Sequence, residues 1–223
     1  MTIIKEHQLQ ILLNEFELIS KNTITQCLLL KDLFGDPTQQ KLIEEAEQNE
    51  ILIDRLEKKI RGEVAFTIFM FGPVAEDLRR IISYQDITSN LERVGDMVLN
   101  IIRYLMETNL HTPELLEIHR LLEDMLDAVT LMLRNSILSF STKDIDTARE
   151  VLTSDDEVDA LYRKVREMVV TTFSGTKNSR SDVVGLINIE AIAHNLERCG
   201  DSATNIAEST IYLINGEDIR HEY

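Results

Sequence analysis

The segment Asn90-Leu91-Glu92-Arg93-Val94-Gly95-Asp96 returns, 105 residues later, as Asn195-Leu196-Glu197-Arg198-Cys199-Gly200-Asp201. Between residues 90 and 101, eight of twelve positions are identical to their counterparts at that shift, including Asn100-Ile101 against Asn205-Ile206. Amphipathic helices match one another in their apolar residues. They do not match Glu, Arg, Gly, Asp and Asn in order, so the identity marks an internal repeat. The same shift lays Glu50 on Asp155, Asp54 on Asp159, Leu56 on Leu161 and Arg61 on Arg166. It also lays Asp36, a fit N-cap, on Ser141. The register therefore extends well beyond the quoted segment.

Around it, apolar residues recur at helical spacing almost everywhere. A first helix is predicted from about Ile3 to Leu33, ending at Gly35-Asp36-Pro37, where Asp36 is suited to cap the next helix and Pro37 to open it. The second helix runs toward Phe71 and stops at Gly72-Pro73. The third follows to about Leu105. Thr112 and Pro113 are expected to start the fourth, and Ser141, Thr142 and Asp144 mark the start of the fifth. A loop from Ser174 to Arg180 precedes the sixth, which runs from about Asp182 to Ile214. The prediction is an all-α fold of two tandem three-helix bundles, residues 1–109 and 110–223, related by the repeat.

Composition agrees. The chain has 223 residues, 43% of them hydrophobic, with 3 Pro, 8 Gly and no Trp, which is too little turn and aromatic content for a β-sandwich. The net charge of −16 repels phosphate backbones, so no nucleic-acid partner is expected; cations and basic protein faces are favoured. Cys27 and Cys199 lie in apolar helical surroundings and are expected to be buried thiols. No secretory h-region follows Met1, and no apolar run is long enough to span a bilayer, so a cytoplasmic location is expected.

Each half carries two acidic i, i+4 pairs: Glu50/Asp54 with Glu92/Asp96, and Asp155/Asp159 with Glu197/Asp201. Residues so spaced are neighbours on a helix, and like charges there repel. With 39 acids such pairs arise by chance, so recurrence at one shift on two helices is the signal. Glu92 and Asp96 sit about 130–180° from the core stripe of the third helix, which places them on an outer face or groove. Gly95 and Gly200, each costing about 1 kcal/mol inside a helix, suggest a close helix approach that brings the pairs together. Two readings stand: a solvated acidic face, or all-oxygen sites for iron, manganese, magnesium or zinc, with room for more than one ion. His194, three residues before Glu197, is either a surface histidine or an added ligand. No Glu-x-x-His, phosphate-binding loop or nucleophile elbow is present, so no enzyme is expected.

At these residues the chain resembles the PhoU family. The resemblance rests on Leu91-Glu92-Arg93-Val94-Gly95-Asp96 and Leu196-Glu197-Arg198-Cys199-Gly200-Asp201, and on Pro73-Val74-Ala75-Glu76-Asp77-Leu78-Arg79-Arg80. It continues in Ala203-Thr204-Asn205-Ile206-Ala207-Glu208 and in Tyr212 to His221. It covers nearly the whole chain. It implies a cytoplasmic regulator of phosphate uptake that restrains phosphate-starvation signalling. Its implied partners are the phosphate transporter ATPase subunit, a sensor histidine kinase and a second copy of itself in a homodimer, with membrane association only through those partners. It also implies multinuclear iron or zinc on the acidic motifs. An accessory module of another ion transport system would share the same motifs. Asn90 and Asn195 stand where many relatives carry Asp, which removes a charge from each cluster, and Glu50 departs from the usual second-helix pattern.

Overall fold

A computed structural model describes residues 2–174 and 179–216. The expected Gly175-Thr176-Lys177-Asn178 part of the last loop, and the stretch from Glu217 to His221, lie outside the described residues. Among those described, the elements are α1 (Thr2–Gly35), α2 (Gln40–Phe71), α3 (Glu76–Met106), α4 (Leu116–Thr142), α5 (Ile145–Phe173) and α6 (Arg180–Asn215). The all-α architecture of two three-helix units is as predicted.

The helix ends follow local chemistry. Gly72 and Gly216 close α2 and α6 in the left-handed conformation that glycine tolerates, at φ 49° and 76°. Asp144 caps α5 by accepting from the backbone N–H groups of Asp146 and Thr147. Ser179 and Asp182 form a reciprocal capping box that starts α6. Two expected starts are displaced. The Asp36 carboxylate accepts from the Thr38 backbone N–H at 3.0 Å and from its hydroxyl at 2.7 Å. That closes a side-chain turn, and α2 begins only at Gln40. At the fourth helix the Thr112 carbonyl accepts from the Leu115 N–H at 3.0 Å, so Thr112 and Pro113 form a turn and α4 begins at Leu116. Asp36 and Ser141 are accordingly not paired caps; Ser141 lies inside α4.

The two motif-bearing helices, α3 and α6, form the central and most extensive contact of the molecule. α1 and α2 pack on α3, α4 and α5 pack on α6, and α1 also touches α4. One contiguous apolar core runs through both halves, including Leu12, Ile53, Ile87, Leu91 and Val94 in the first and Leu122, Val129, Ile192 and Leu196 in the second. Each such side chain contributes about 1.5–3 kcal/mol relative to exposure. Phe16, Tyr84 and Phe140 clasp the halves, with ring centroids 5.1–5.3 Å apart. The seam is also tied by Asn188 Nδ2 donating to Thr108 Oγ1 at 3.0 Å and by the Lys143–Glu76 ion pair at 2.8 Å. Cys27 and Cys199 are buried free thiols. Burial pushes Cys27 up to about 12 and Cys199 well above its ordinary value, so neither is a reactive thiolate. No helix among the described residues is long and apolar enough to cross a membrane.

Candidate metal centre

In the first half, α2 presents Glu50 and Asp54 one turn apart, and α3 presents Glu92 and Asp96 one turn apart. Ile53 and Gly95 bring the two helices together. A Cβ built on Gly95 would stand 3.2 Å from Ile53 Cδ1, so the α2 side chain occupies the space that any other residue would need. The result is that one carboxylate oxygen each from Glu50, Asp54 and Asp96 lies within 4.8 Å of the others. No other group of three acidic, histidine or cysteine side chains comes so close among the described residues.

The electrostatics follow from that crowding. Desolvation, reinforced by the Asp54 and Asp96 charges, raises the Glu50 carboxyl above its ordinary range. Glu92 is raised by desolvation and then by Asp96, Asp54, Glu57 and Glu50. Glu92 thus feels the cluster without joining its closest trio. Lys58 pairs with Asp54 at 3.0 Å on the exposed rim and offsets part of the repulsion. A divalent cation held between the three oxygens would remove the rest, and an all-carboxylate donor set suits hard and borderline ions.

The second half repeats the arrangement more loosely. Desolvation, then Asp201, Asp159 and Glu197, push the Asp155 carboxyl up to about 6. Glu197 is raised by desolvation and Asp201, and Asp201 by desolvation and Asp159. All four acids therefore share one electrostatic neighbourhood, but no three of them reach the spacing of the first half. Asp155 is one methylene shorter than its counterpart Glu50. Its Oδ1 lies 3.5 Å from the Cβ position of Gly200, beside Val158, the counterpart of Ile53. Both glycines pass a helix closely as expected, Gly95 under tight contact and Gly200 under ordinary contact.

His194 is half-exposed, with Nδ1 3.4 Å from Glu197 Oε2, so it partners one acid at the rim. Asn90 and Asn195 turn back on their own helices, donating to the Asp86 and Ala191 carbonyls at 3.0 and 2.7 Å. Two participants went unread in the sequence. Arg93, from the first half, lines a polar hollow of about 370 Å³ with Asp155, Arg198 and Asp201 and lowers Asp201 electrostatically. Glu57, buried and paired with Arg61, adds its charge to the field on Glu92. The Arg93–Arg198 identity in the repeat was the available signal, but periodicity alone does not say that a side chain crosses between halves.

Comparison with known proteins agrees with this architecture. The PhoU domain family model matches residues 20–105 and again 122–210. A phosphate-specific transport system accessory protein PhoU homolog 1 from Methanothermobacter thermautotrophicus is 32% identical over 221 residues, covering 96% of each chain. A phosphate-specific transport system accessory protein PhoU homolog from Xylella fastidiosa is 36% identical over 174 residues, covering 77% of this chain and 69% of its own. The crystal structure of PhoU from Pseudomonas aeruginosa superposes with a TM-score of 0.84 at 25% identity, over 95% of this chain and 99% of that one.

Proposed function

This chain belongs to the PhoU family, and from that premise we propose that it is an accessory regulator of phosphate-specific transport, acting in the cytoplasm as a metal-binding adaptor without catalysis of its own. The relatives' role in phosphate transport supports the general assignment. The metal-binding part rests on one observation, the convergence of Glu50, Asp54 and Asp96 on the face between α2 and α3. Glu92 would tune that site through its charge, and Asp155, Asp159, Glu197 and Asp201 would form the second site. Bound iron, zinc, manganese or magnesium would supply neutralising charge and open coordination positions for an anionic group. The protein's own part is to hold the carboxylates at fixed spacing on rigid helices.

The partners in this reading are the phosphate transporter ATPase subunit and a sensor histidine kinase, contacted by a homodimer. A docking role is supported by the apolar end of the first half, where Phe66, Phe69 and Met70 of α2 and Val74 beyond it are exposed, Phe69 to 86%. The decisive experiment removes the chain from its host and follows phosphate-regulated transcription in high phosphate. Derepression that is reversed by the intact chain is the expected result. Unchanged expression would overturn the phosphate assignment in favour of another ion transport system. Co-purification with the transporter ATPase subunit and with the kinase tests the adaptor role separately.

A further inference from the structure

Away from the acidic clusters, we propose that His111, His119 and Glu123 form a binding site for one borderline divalent transition-metal ion, with Zn²⁺ as the natural occupant, at the seam where the α3–α4 connection meets the end of α1. His119 and Glu123 are one turn apart on α4 and share a face, the spacing that lets two side chains grip one ion. His119 is 7% exposed, and its Nε2 has no hydrogen-bond partner. A buried ring nitrogen left without a partner is costly unless something else occupies it. Glu123 Oε1 stands 3.9 Å from that nitrogen, too far for a hydrogen bond and near enough to share an ion with it.

The ring is held for the task. It stacks on Phe34 at 5.7 Å with planes 12° apart, and it interacts with the Phe34 backbone carbonyl. A carbonyl against the ring is one means by which a protein orients a metal-binding histidine. The second imidazole, His111, meets His119 edge-on at 4.8 Å. Its loop is fixed by the Asn109 carboxamide oxygen, which accepts the His111 backbone N–H at 3.2 Å, and by the buried Leu110.

His111 also lines an open cavity of about 540 Å³ with Asp36, Glu107 and Asn109, which gives an ion an entry path. His111 is exposed and the Glu123 side chain is 44% exposed, and the three donor atoms do not stand within 4.8 Å of one another as the Glu50 trio does, so binding draws the side chains of His111 and Glu123 in toward His119 Nε2 to reach bonds of about 2 Å. Two imidazoles with one carboxylate favour zinc over magnesium or calcium, which take oxygen donors. The site therefore differs in cation class from an all-carboxylate cluster.

The test is a ZnCl₂ titration of the full chain with ¹⁵N-labelled histidines, read by imidazole NMR. Saturable shifts of His111 and His119 at one equivalent are expected, with MgCl₂ at the same concentration inert. Binding at the second acidic cluster would report on His194 instead. His111→Ala, which alters only an exposed side chain, should weaken the His119 response at least tenfold, and Glu123→Gln several-fold. His111 and His119 signals that stay unmoved at tenfold excess of Zn²⁺ would overturn the proposal, as would unchanged affinity in His111→Ala or an equal response to Mg²⁺.

Discussion

Ile53 fills the space that a side chain on Gly95 would take: a methyl there would stand 3.2 Å from Ile53 Cδ1, and Ile53 is itself buried. The contact sets the α2–α3 spacing and hence the distance between the carboxylates on either side of it. Alanine normally gains about 1 kcal/mol over glycine inside a helix. Overpacking a buried contact costs about 1–3 kcal/mol. Gly95→Ala is therefore expected to lower stability by about 1 kcal/mol. At Gly200 the nearest atoms stand at 3.5 Å, an ordinary contact. Gly200→Ala should instead be neutral or raise stability by up to about 1 kcal/mol. Urea denaturation of the two variants, in chelator, checks the opposite signs.

The two acidic clusters should differ in strength. Glu50→Gln with Asp54→Asn and Asp96→Asn removes the one trio that converges among the described residues. Asp155→Asn with Asp159→Asn and Asp201→Asn removes the looser set. Elemental analysis and Mn²⁺ titration should show the first triple variant losing the tighter class of bound metal, about half of the total, since each half carries one cluster. Glu92→Gln alone, outside the trio, should shift affinity less. Equal loss from both triple variants would indicate that the closer spacing in the first half has no bearing on binding.

Stability of the metal-free protein should depend on pH through the same acids. Asp155 is raised to about 6 from an ordinary 3.8 by burial and its acidic neighbours. A carboxyl raised in the folded state binds its proton more tightly there than in the unfolded chain. Its contribution is therefore complete below about pH 4 and is lost as the pH rises through about 6. Glu50, Glu92, Glu197 and Asp201 are raised in the same sense. Chelated protein should be destabilised between pH 5 and 7 by this group. Asp155→Asn should flatten that slope and stabilise the protein at pH 7 by about 1–2 kcal/mol, after allowance for solvent screening. Saturating metal should remove the same slope. Denaturant melts at pH 5, 6 and 7, with and without Mn²⁺, are the measurement.

The helix starts offer an independent check. Asp144 satisfies two backbone N–H groups at α5, and Ser179 with Asp182 completes the box at α6. Asp144→Ala and Ser179→Ala should each cost about 1 kcal/mol, the usual value of a lost N-cap. Asp36→Ala should cost less, because Asp36 orders an exposed turn and not a helix terminus. Thermal melts of the three variants rank them.

Much of this was legible in the sequence because it is local. A 3.6-residue apolar period gives six helices, and Gly72, Asp144 and Gly216 mark ends that depend only on their own backbone. The displaced starts at Asp36 and Thr112 show the limit even of local reading. Each polar side chain or carbonyl had a competing turn partner within three residues, and the turn won.

The sequence by itself determined the helical class, the duplication and the face on which the acids lie, since periodicity and repeated residues are properties of the chain alone. Tertiary structure decided that α3 and α6 pair at the centre, that Arg93 reaches the opposite half, and that Glu50, Asp54 and Asp96 converge while their counterparts remain looser. The physical reason is that distances between helices are set by the volumes packed between them, Ile53 against Gly95 and Val158 against Gly200. On one side the oxygens of Glu50, Asp54 and Asp96 meet, and on the other Asp155 and its neighbours only raise one another electrostatically.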